Sequence, residues 1–356
     1  MSILVAIVSH PQARAAGSEA FGFRALKPAI AGHPQFLEML VSRLSSADHA
    51  LCANALQLIN SLMRDAITYE PDTEWPKFIR RLQDLGVIKA SYGLMQSTGL
   101  QDLAHPLLEF QSLTKVLLRK WREIPIDPDK VEHRRALKAI YLAGFPERRE
   151  DVVEPSNVDG KQAVPVEKWR KLGFETEAPA YEFDEVGYLG IMDLTDFVRK
   201  SEDGWQKLLL EQSTKSAQQR CPVAKASLAV TSILYDHFEV DRSDHEDQQR
   251  YVALESRSNF DKVFKPLLLQ WSRLHTSALR AFFRLWATTG AEMNDFDKIE
   301  ELVRILVEHV VGLAPRTRDI HEIEADLADY ELGRLRDLQM ELLELTHEDA
   351  WGHHLR

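Results

Sequence analysis

Residues 169–190 read Trp-Arg-Lys-Leu-Gly-Phe-Glu-Thr-Glu-Ala-Pro-Ala-Tyr-Glu-Phe-Asp-Glu-Val-Gly-Tyr-Leu-Gly, and their spacing carries more information than any other stretch of the chain. Trp169, Phe174 and Phe183 alternate with Gly173, Pro179 and Gly187, residue types that end or redirect a helix. The three aromatics read as core residues that shape a turn. The polar residues around Phe183 are all acidic, Glu182, Asp184 and Glu185, so the turn is anionic. Asp184 and Glu185 are the members expected to face a partner.

Downstream, Trp205 and Leu208 to Leu210 precede Gln219-Arg220-Cys221-Pro222. Ala226, Leu228, Val230, Ile233, Leu234 and Phe238 then follow, the pattern of a helix opened by proline. Val263, Leu267, Trp271, Leu274 and Leu279 predict one apolar stripe, and Phe296, Ile299, Leu302, Val303, Leu306 and Val310 another. For the second, Asn294 is the expected cap, and Asp295 and Asp297 fall in the first turn, where carboxylates favour the positive end of the helix dipole. Trp271, Phe282, Phe283 and Trp286 lie at helical offsets and read as core. From Asp319 to Glu344, Ile320, Ile323, Leu327 and Tyr330, then Leu335, Leu338, Leu342 and Leu345, are each spaced three, four, three, with the register broken at Gly333. A coiled coil needs about three or four sustained heptads, so this pattern predicts a long C-terminal helix packed on its own domain or on a partner.

Upstream, Leu51, Ala55, Leu58, Ile59, Leu62 and Ala66 share one helical face, with Ser45, Ser46 and Asp48 offering capping oxygens. Phe36, Leu37, Leu40, Val41 and Leu44 predict a helix whose first turn holds Pro34, and Phe78, Ile79, Leu82 and Leu85 one that stops at Gly86. Short helices, each apolar on one broad face, are what stacked helical repeats look like, because no unit buries its face alone. Asn54 to Leu62 resembles the innermost helix of an armadillo repeat; read by itself, it is equally an amphipathic helix of a bundle. No strand–helix–strand alternation occurs, so the fold class is all-α. Residues 149–168, with Pro155, Gly160 and Pro165 and no apolar periodicity, read as a solvated loop.

Composition narrows the function. The chain has 356 residues, 44% hydrophobic and 28% charged, ordinary values for a folded globular protein. Its net charge of −11, with Lys and Arg dispersed, is the opposite of what phosphate neutralisation requires, so nucleic acid is not an expected partner. Cys52 and Cys221 are the two cysteines, far apart and without a Cys-x-x-Cys pair, which excludes a disulfide scaffold or zinc ribbon. The N-terminal run Ile3 to Val8 lacks a basic lead and is too short for a signal peptide, and no stretch approaches the roughly 20 apolar residues of a spanning helix. A cytoplasmic location is expected. No nucleophile elbow, phosphate loop or zincin motif is present. His353-His354, His237 and His245 lack ligands at compatible offsets, and acidic pairs such as Glu300-Glu301 read as solvated helix faces. No metal, no cofactor and no enzyme activity are expected.

The spacing of Trp169, Gly173, Phe174, Pro179, Phe183, Gly187 and Leu189, followed about thirty residues later by Cys221-Pro222 at the head of a small-residue helix, resembles the ELMO domain of the engulfment and cell-motility family. The resemblance implies armadillo-like repeats over 1–118, a helical ELMO domain over 119–315 enclosing the loop, and a C-terminal helical extension over 316–356. In that family such a helix leads to a pleckstrin-homology domain and a proline-rich tail, neither of which is in this sequence. One branch of the family activates Arf-type GTPases with an arginine at the position of Asp184. Arginine stabilises charge developing on the transferred phosphate, whereas a carboxylate there repels it. Arg170, the nearest arginine within the motif, lies too early to align. The resemblance therefore implies the scaffold branch. Its members are non-enzymatic adaptors for DOCK-type guanine-nucleotide exchange factors that support a Rac/Rho-family or Arf-like small GTPase. Peripheral recruitment to the cell cortex through those partners, actin remodelling, motility and engulfment follow from the same resemblance.

Overall fold

The computed structural model describes residues 2–10, 21–98, 100–145, 166–176, 178–200, 202–242 and 260–354, and every regular element among them is a helix. The all-α expectation is met. The chain divides into two compact units: Met1–Leu117 with Arg242–Leu269 and Pro315–Thr317, and Leu118–Asp241 with Gln270–Ala314 and Arg318–Arg356.

In the first unit the chain runs through α1 (Ser2–Val8), α2 (Phe23–Gly32), α3 (Phe36–Ser42), a 3₁₀ turn at Arg43–Ser45, α4 (His49–Tyr69), α5 (Trp75–Asp84), α6 (Val87–Gln96) and the first part of α7 (Ala104–Glu123). Helix α4 is its axis. Cys52, Ala55, Leu56, Leu58, Ile59, Leu62 and Ala66 are fully buried, and α1, α2, α3 and α5 all pack on it. Asp48 caps α4, its carboxylate accepting from the N–H groups of Ala50 (2.9 Å) and Leu51 (3.2 Å). The polar residues that α4 buries are engaged in specific bonds. Asn60 donates to the Pro106 carbonyl (2.8 Å), and Asp65 accepts from the Phe23 N–H (3.0 Å) while burial pushes its carboxyl up. Gly86 takes φ +91°, the left-handed conformation that ends α5, as its position after Leu85 suggested. Pro34, by contrast, lies before the helix it was expected to open, because α3 starts at Phe36.

The second unit contains the end of α7, then α8 (Val131–Gly144), α9 (Val166–Lys171), α10 (Pro179–Glu182), α11 (Gly187–Lys200), α12 (Glu202–Ser213) and α13 (Val223–His237). After α14 (Phe260–Val263), which belongs to the first unit, it continues with α15 (Trp271–Thr289), α16 (Phe296–Val310), α17 (Ile320–Asp329) and α18 (Leu332–His354). Helix α13 sits at its centre, packed on α11, α15 and α16, and Ala224, Ala226 and Ser227 keep its surface small enough for close approach. The segment read as a loop lies outside the described residues up to 165, and α9 covers its last residues.

Three local expectations are corrected. The stripe from Val263 to Leu279 is not one helix. Pro266 supplies no N–H, so α14 stops, a 3₁₀ segment covers Pro266–Gln270, and α15 begins at Trp271. Asn294 does not cap α16: it lies inside the 3₁₀ turn Met293–Asp295, and Asp295 accepts from the Glu292 N–H (3.1 Å) instead. The C-terminal pattern breaks between Asp329 and Leu332, with Tyr330 extended at ψ 122°, so Gly333 lies inside α18 and α17 precedes the long helix. Trp271, Phe282 and Trp286 are buried as expected of core.

One polar cluster ties three helices of the second unit together. Asp193 of α11, fully enclosed, accepts from Trp271 Nε1 of α15 (3.0 and 3.1 Å) and from Thr231 Oγ1 of α13 (2.9 Å). Burial raises its carboxyl pKa; the neighbouring His275 and the two donors oppose that rise. Asp193→Ala leaves Trp271 Nε1 without an acceptor in the core, while Thr231 Oγ1 keeps the Ser227 carbonyl (3.2 Å), and is expected to cost about 3 kcal/mol of stability. Asp193→Asn keeps an acceptor and removes the charge. A carboxyl raised in the folded state contributes stability that is present below its ordinary value of 3.8 and is lost as pH rises through the folded value. Urea denaturation at acid and neutral pH therefore should show Asp193→Asn gaining on the wild type as pH rises.

Candidate interaction site at the Phe183 turn

The motif residues come together in one packed corner. Rings run from Tyr141 on α8 to Trp169 (centroids 5.8 Å), to Phe174 (5.5 Å, edge-on) and to Phe183 (5.9 Å), and all four are buried. Pro179 opens the short α10, where its missing N–H costs nothing, and is buried with Ala180. Leu189 is buried on α11.

Two glycines explain the spacing. Gly173 has φ +86°, and a Cβ there would stand 2.3 Å from the Val223 nitrogen and 2.8 Å from that of Ala224. The Gly173 carbonyl also accepts from the Lys225 N–H (3.4 Å). Gly173 thus seats directly on the first turn of α13, which Pro222 introduces, so the two halves of the sequence signature are in backbone contact. Gly187, at φ +55°, is equally confined, because a Cβ would lie 1.8 Å from the Arg122 carbonyl oxygen. Its N–H donates to the Phe183 carbonyl (2.6 Å), and the next N–H, Tyr188, donates to the Ile124 carbonyl (2.9 Å). Cys221 is buried beside this contact with its thiol pushed up by burial, and its N–H donates to Gln212 Oε1 (2.9 Å). Such a thiol is a packing group and not a nucleophile.

The acidic residues of the turn separate into two kinds. Glu182 folds inward on its own segment, accepting from the N–H groups of Glu175 (3.0 Å) and Thr176 (2.7 Å) and from Thr176 Oγ1 (2.8 Å). Asp184 and Glu185 are exposed. Arg170 is exposed on α9, and its carbonyl accepts from the Gly173 N–H (3.0 Å).

The cation beside the turn is one that the sequence did not point to. Arg122, in the last turn of α7, donates from Nε to the Glu185 carbonyl (2.8 Å) and from Nη1 to Asp241 (3.3 Å), and its guanidinium lies 4.1 Å from the Tyr235 ring centre. Tyr235 in turn donates to Asp241 (2.6 Å), and its hydroxyl pKa is pushed up to about 12, first by burial and then by that carboxylate. Arg122 therefore acts as a strut behind the turn. Among the described residues no three His, Cys, Asp or Glu side chains gather to hold a metal ion. No helix there is long and apolar enough to cross a membrane.

The glycine contacts make a quantitative contrast. Gly173→Ala and Gly187→Ala force a Cβ into backbone atoms as well as a left-handed φ, and each is expected to lower stability by several kcal/mol or to prevent folding. Gly86→Ala meets only the φ penalty, with open space around it, and is expected to cost about 1 kcal/mol. Thermal denaturation of the three variants checks the ranking.

Comparison with known proteins places this corner in a family. Engulfment and cell motility protein 3 of Mus musculus is 25% identical over 310 residues, 85% of this chain and 41% of that protein. Engulfment and cell motility protein 1 of Homo sapiens is 20% identical over 283 residues, 79% of this chain and 38% of that protein. Protein 2 of Mus musculus is 22% identical over 244 residues, 66% of this chain and 32% of that protein. The chain thus spans about two fifths, or less, of the length of these relatives. The ELMO/CED-12 family model matches residues 116–300, more than half of the chain and the stretch that holds the whole Phe183 corner, so the chain belongs to the ELMO/CED-12 family.

Proposed function

We propose that this protein is a non-enzymatic adaptor. It binds a DOCK-type guanine-nucleotide exchange factor and supports activation of a Rac/Rho-family GTPase, and through it actin remodelling, motility or engulfment. The observation that carries the reading is the Phe183 corner, where Trp169, Phe174 and Phe183 are buried in one packed turn while the exposed residue after Phe183 is Asp184 and not arginine. Membership of the ELMO/CED-12 family and the relatives' names, engulfment and cell motility, support it.

In this reading residues 1–118 are armadillo-like repeats that present a partner surface. Residues 119–315 form the ELMO domain, and 316–356 a helical extension. Asp184 and Glu185 are the exposed contacts of the turn, and the protein works in the cytoplasm, recruited to the cortex through its partners. The opposing idea, activation of an Arf-type GTPase, has little to recommend it. Asp184 would repel the charge that builds up on the transferred phosphate, and the arginine beside the turn, Arg122, is already bonded to the Glu185 carbonyl and Asp241.

Gel filtration with a purified DOCK-type exchange factor tests the proposal. Co-elution is expected, and Asp184→Lys with Glu185→Lys is expected to weaken it roughly tenfold while leaving the fold intact, as charge reversal at an interface does. Failure to co-elute with any DOCK-type factor or Rho-family GTPase contradicts the adaptor reading.

A further inference from the structure

The turn that carries Asp184 also holds an aromatic ring out in solvent. Pro179, Ala180 and Phe183 are buried, yet Tyr181 between them is 73% exposed. Its backbone is fixed all the same: the Tyr181 N–H donates to the Ala178 carbonyl (3.1 Å), and its carbonyl accepts from the Asp184 N–H (3.2 Å). Residues three apart in so tight a turn stand side by side, so the Tyr181 ring and the Asp184 carboxylate share the outward face, with Glu185 next to them. Among the described residues, the side chains of Tyr181, Asp184 and Glu185 make no hydrogen bond, ion pair or ring contact. An exposed aromatic on a rigid turn loses little freedom when a partner covers it, which is why tyrosine so often anchors an interface.

The charge around the ring decides what fits over it. From Leu172 to Gly190 the chain has no Lys or Arg. Glu182 accepts only from neutral donors, the Glu175 and Thr176 N–H groups and the Thr176 hydroxyl, so its negative charge remains. Of the cations on neighbouring segments, Arg122 is bonded to the Glu185 carbonyl and Asp241, and Lys225 to Glu175 (2.7 Å). Arg170 and Lys171 are exposed on α9 and pair with neither Asp184 nor Glu185. A phosphate-bearing ligand or an anionic lipid surface is repelled by such a turn, and a second copy of the chain brings the same turn on a molecule of net charge −11. A ring beside a carboxylate suits a guanidinium, which stacks flat on the ring while its N–H fork bonds the carboxylate; the compact ammonium of lysine does both less well. We infer that Tyr181 and Asp184 together receive an arginine side chain from the basic surface of a partner protein, with Tyr181 as the anchor and Glu185 adding to the attraction. The inference rests on the reading of this turn as a partner contact and names the group that the turn recognises.

The test uses the whole chain and two labelled synthetic peptides of equal charge, one of alternating glycine and arginine and one of alternating glycine and lysine. Fluorescence anisotropy should show the arginine peptide binding more tightly than the lysine peptide. Tyr181→Phe keeps the ring and should bind the arginine peptide as the wild type does. Tyr181→Leu keeps an apolar side chain without the ring and should weaken arginine-peptide binding roughly threefold, down to the level of the lysine peptide. Asp184→Asn should weaken both peptides roughly threefold. All three substitutions lie at exposed positions, so the melting temperature should not change. Wild-type affinity in Tyr181→Leu, or equal affinity for the two peptides, shows attraction by charge alone and overturns the inference. So does absence of binding, or a concentration-dependent dimer of the wild type that Tyr181→Leu abolishes. The assay contains no exchange factor, so the peptide can bind where co-elution fails and the reverse, and the two readings fail separately.

Discussion

The structure of the second unit depends on one close approach, the seating of Gly173 on the first turn of α13. With 2.3 Å between a notional Cβ and the Val223 nitrogen, no side chain fits there, and the backbone must pass in a left-handed conformation that glycine alone adopts cheaply. That contact fixes where the Trp169–Phe174–Phe183 ladder lies relative to the central helix. It also explains why a proline-headed helix of small residues must follow the aromatic motif. Gly187 makes the second such approach, against the Arg122 carbonyl, so the turn carrying Asp184 is held at both ends by backbone fitted to backbone.

Between these two pins the acidic residues are sorted by geometry and not by residue type. Glu182 is consumed by the N–H groups of Glu175 and Thr176, and Arg122 supports the Glu185 carbonyl from behind, which leaves the Asp184 and Glu185 side chains outward. A preorganised, exposed anionic turn suits recognition of a basic surface. It is the wrong sign for a group that must stabilise negative charge on a phosphate. The buried Asp193 cluster serves a different end, fixing the mutual register of α11, α13 and α15 through hydrogen bonds from two donors, Trp271 Nε1 and Thr231 Oγ1.

Much of this was legible in the sequence because it is local. The 3.6-residue spacing of α4, the glycine stop at Gly86 and the two halves of the motif are all patterns within one helix or turn. Arg122 was not legible, since its partner Glu185 is 63 residues away and nothing in the last turn of α7 distinguishes it from a solvated arginine. Asp193 left a signal that could have been used. A carboxylate lying four residues after Leu189 and four before Phe197 sits on an apolar face, where a charge needs a partner. The partner itself, Trp271, is 78 residues distant and invisible to periodicity. The misread stripe from Val263 to Leu279 shows the opposite failure, in which apolar spacing continues across a proline that the backbone cannot ignore.

At the exposed position after Phe183 this ELMO/CED-12 family chain has Asp184 and not arginine, and the adaptor proposal rests on that residue. Single-turnover GTP hydrolysis by Arf-type and Rac-type GTPases, measured with and without the purified chain, tests it most directly. The expected rate is within about twofold of the intrinsic one, because the residue after Phe183 is Asp184 and Arg122 beside it is already bonded to the Glu185 carbonyl and Asp241. Acceleration approaching the roughly 10³-fold or more that an arginine supplied in trans provides, and lost on Arg170→Ala, would contradict it.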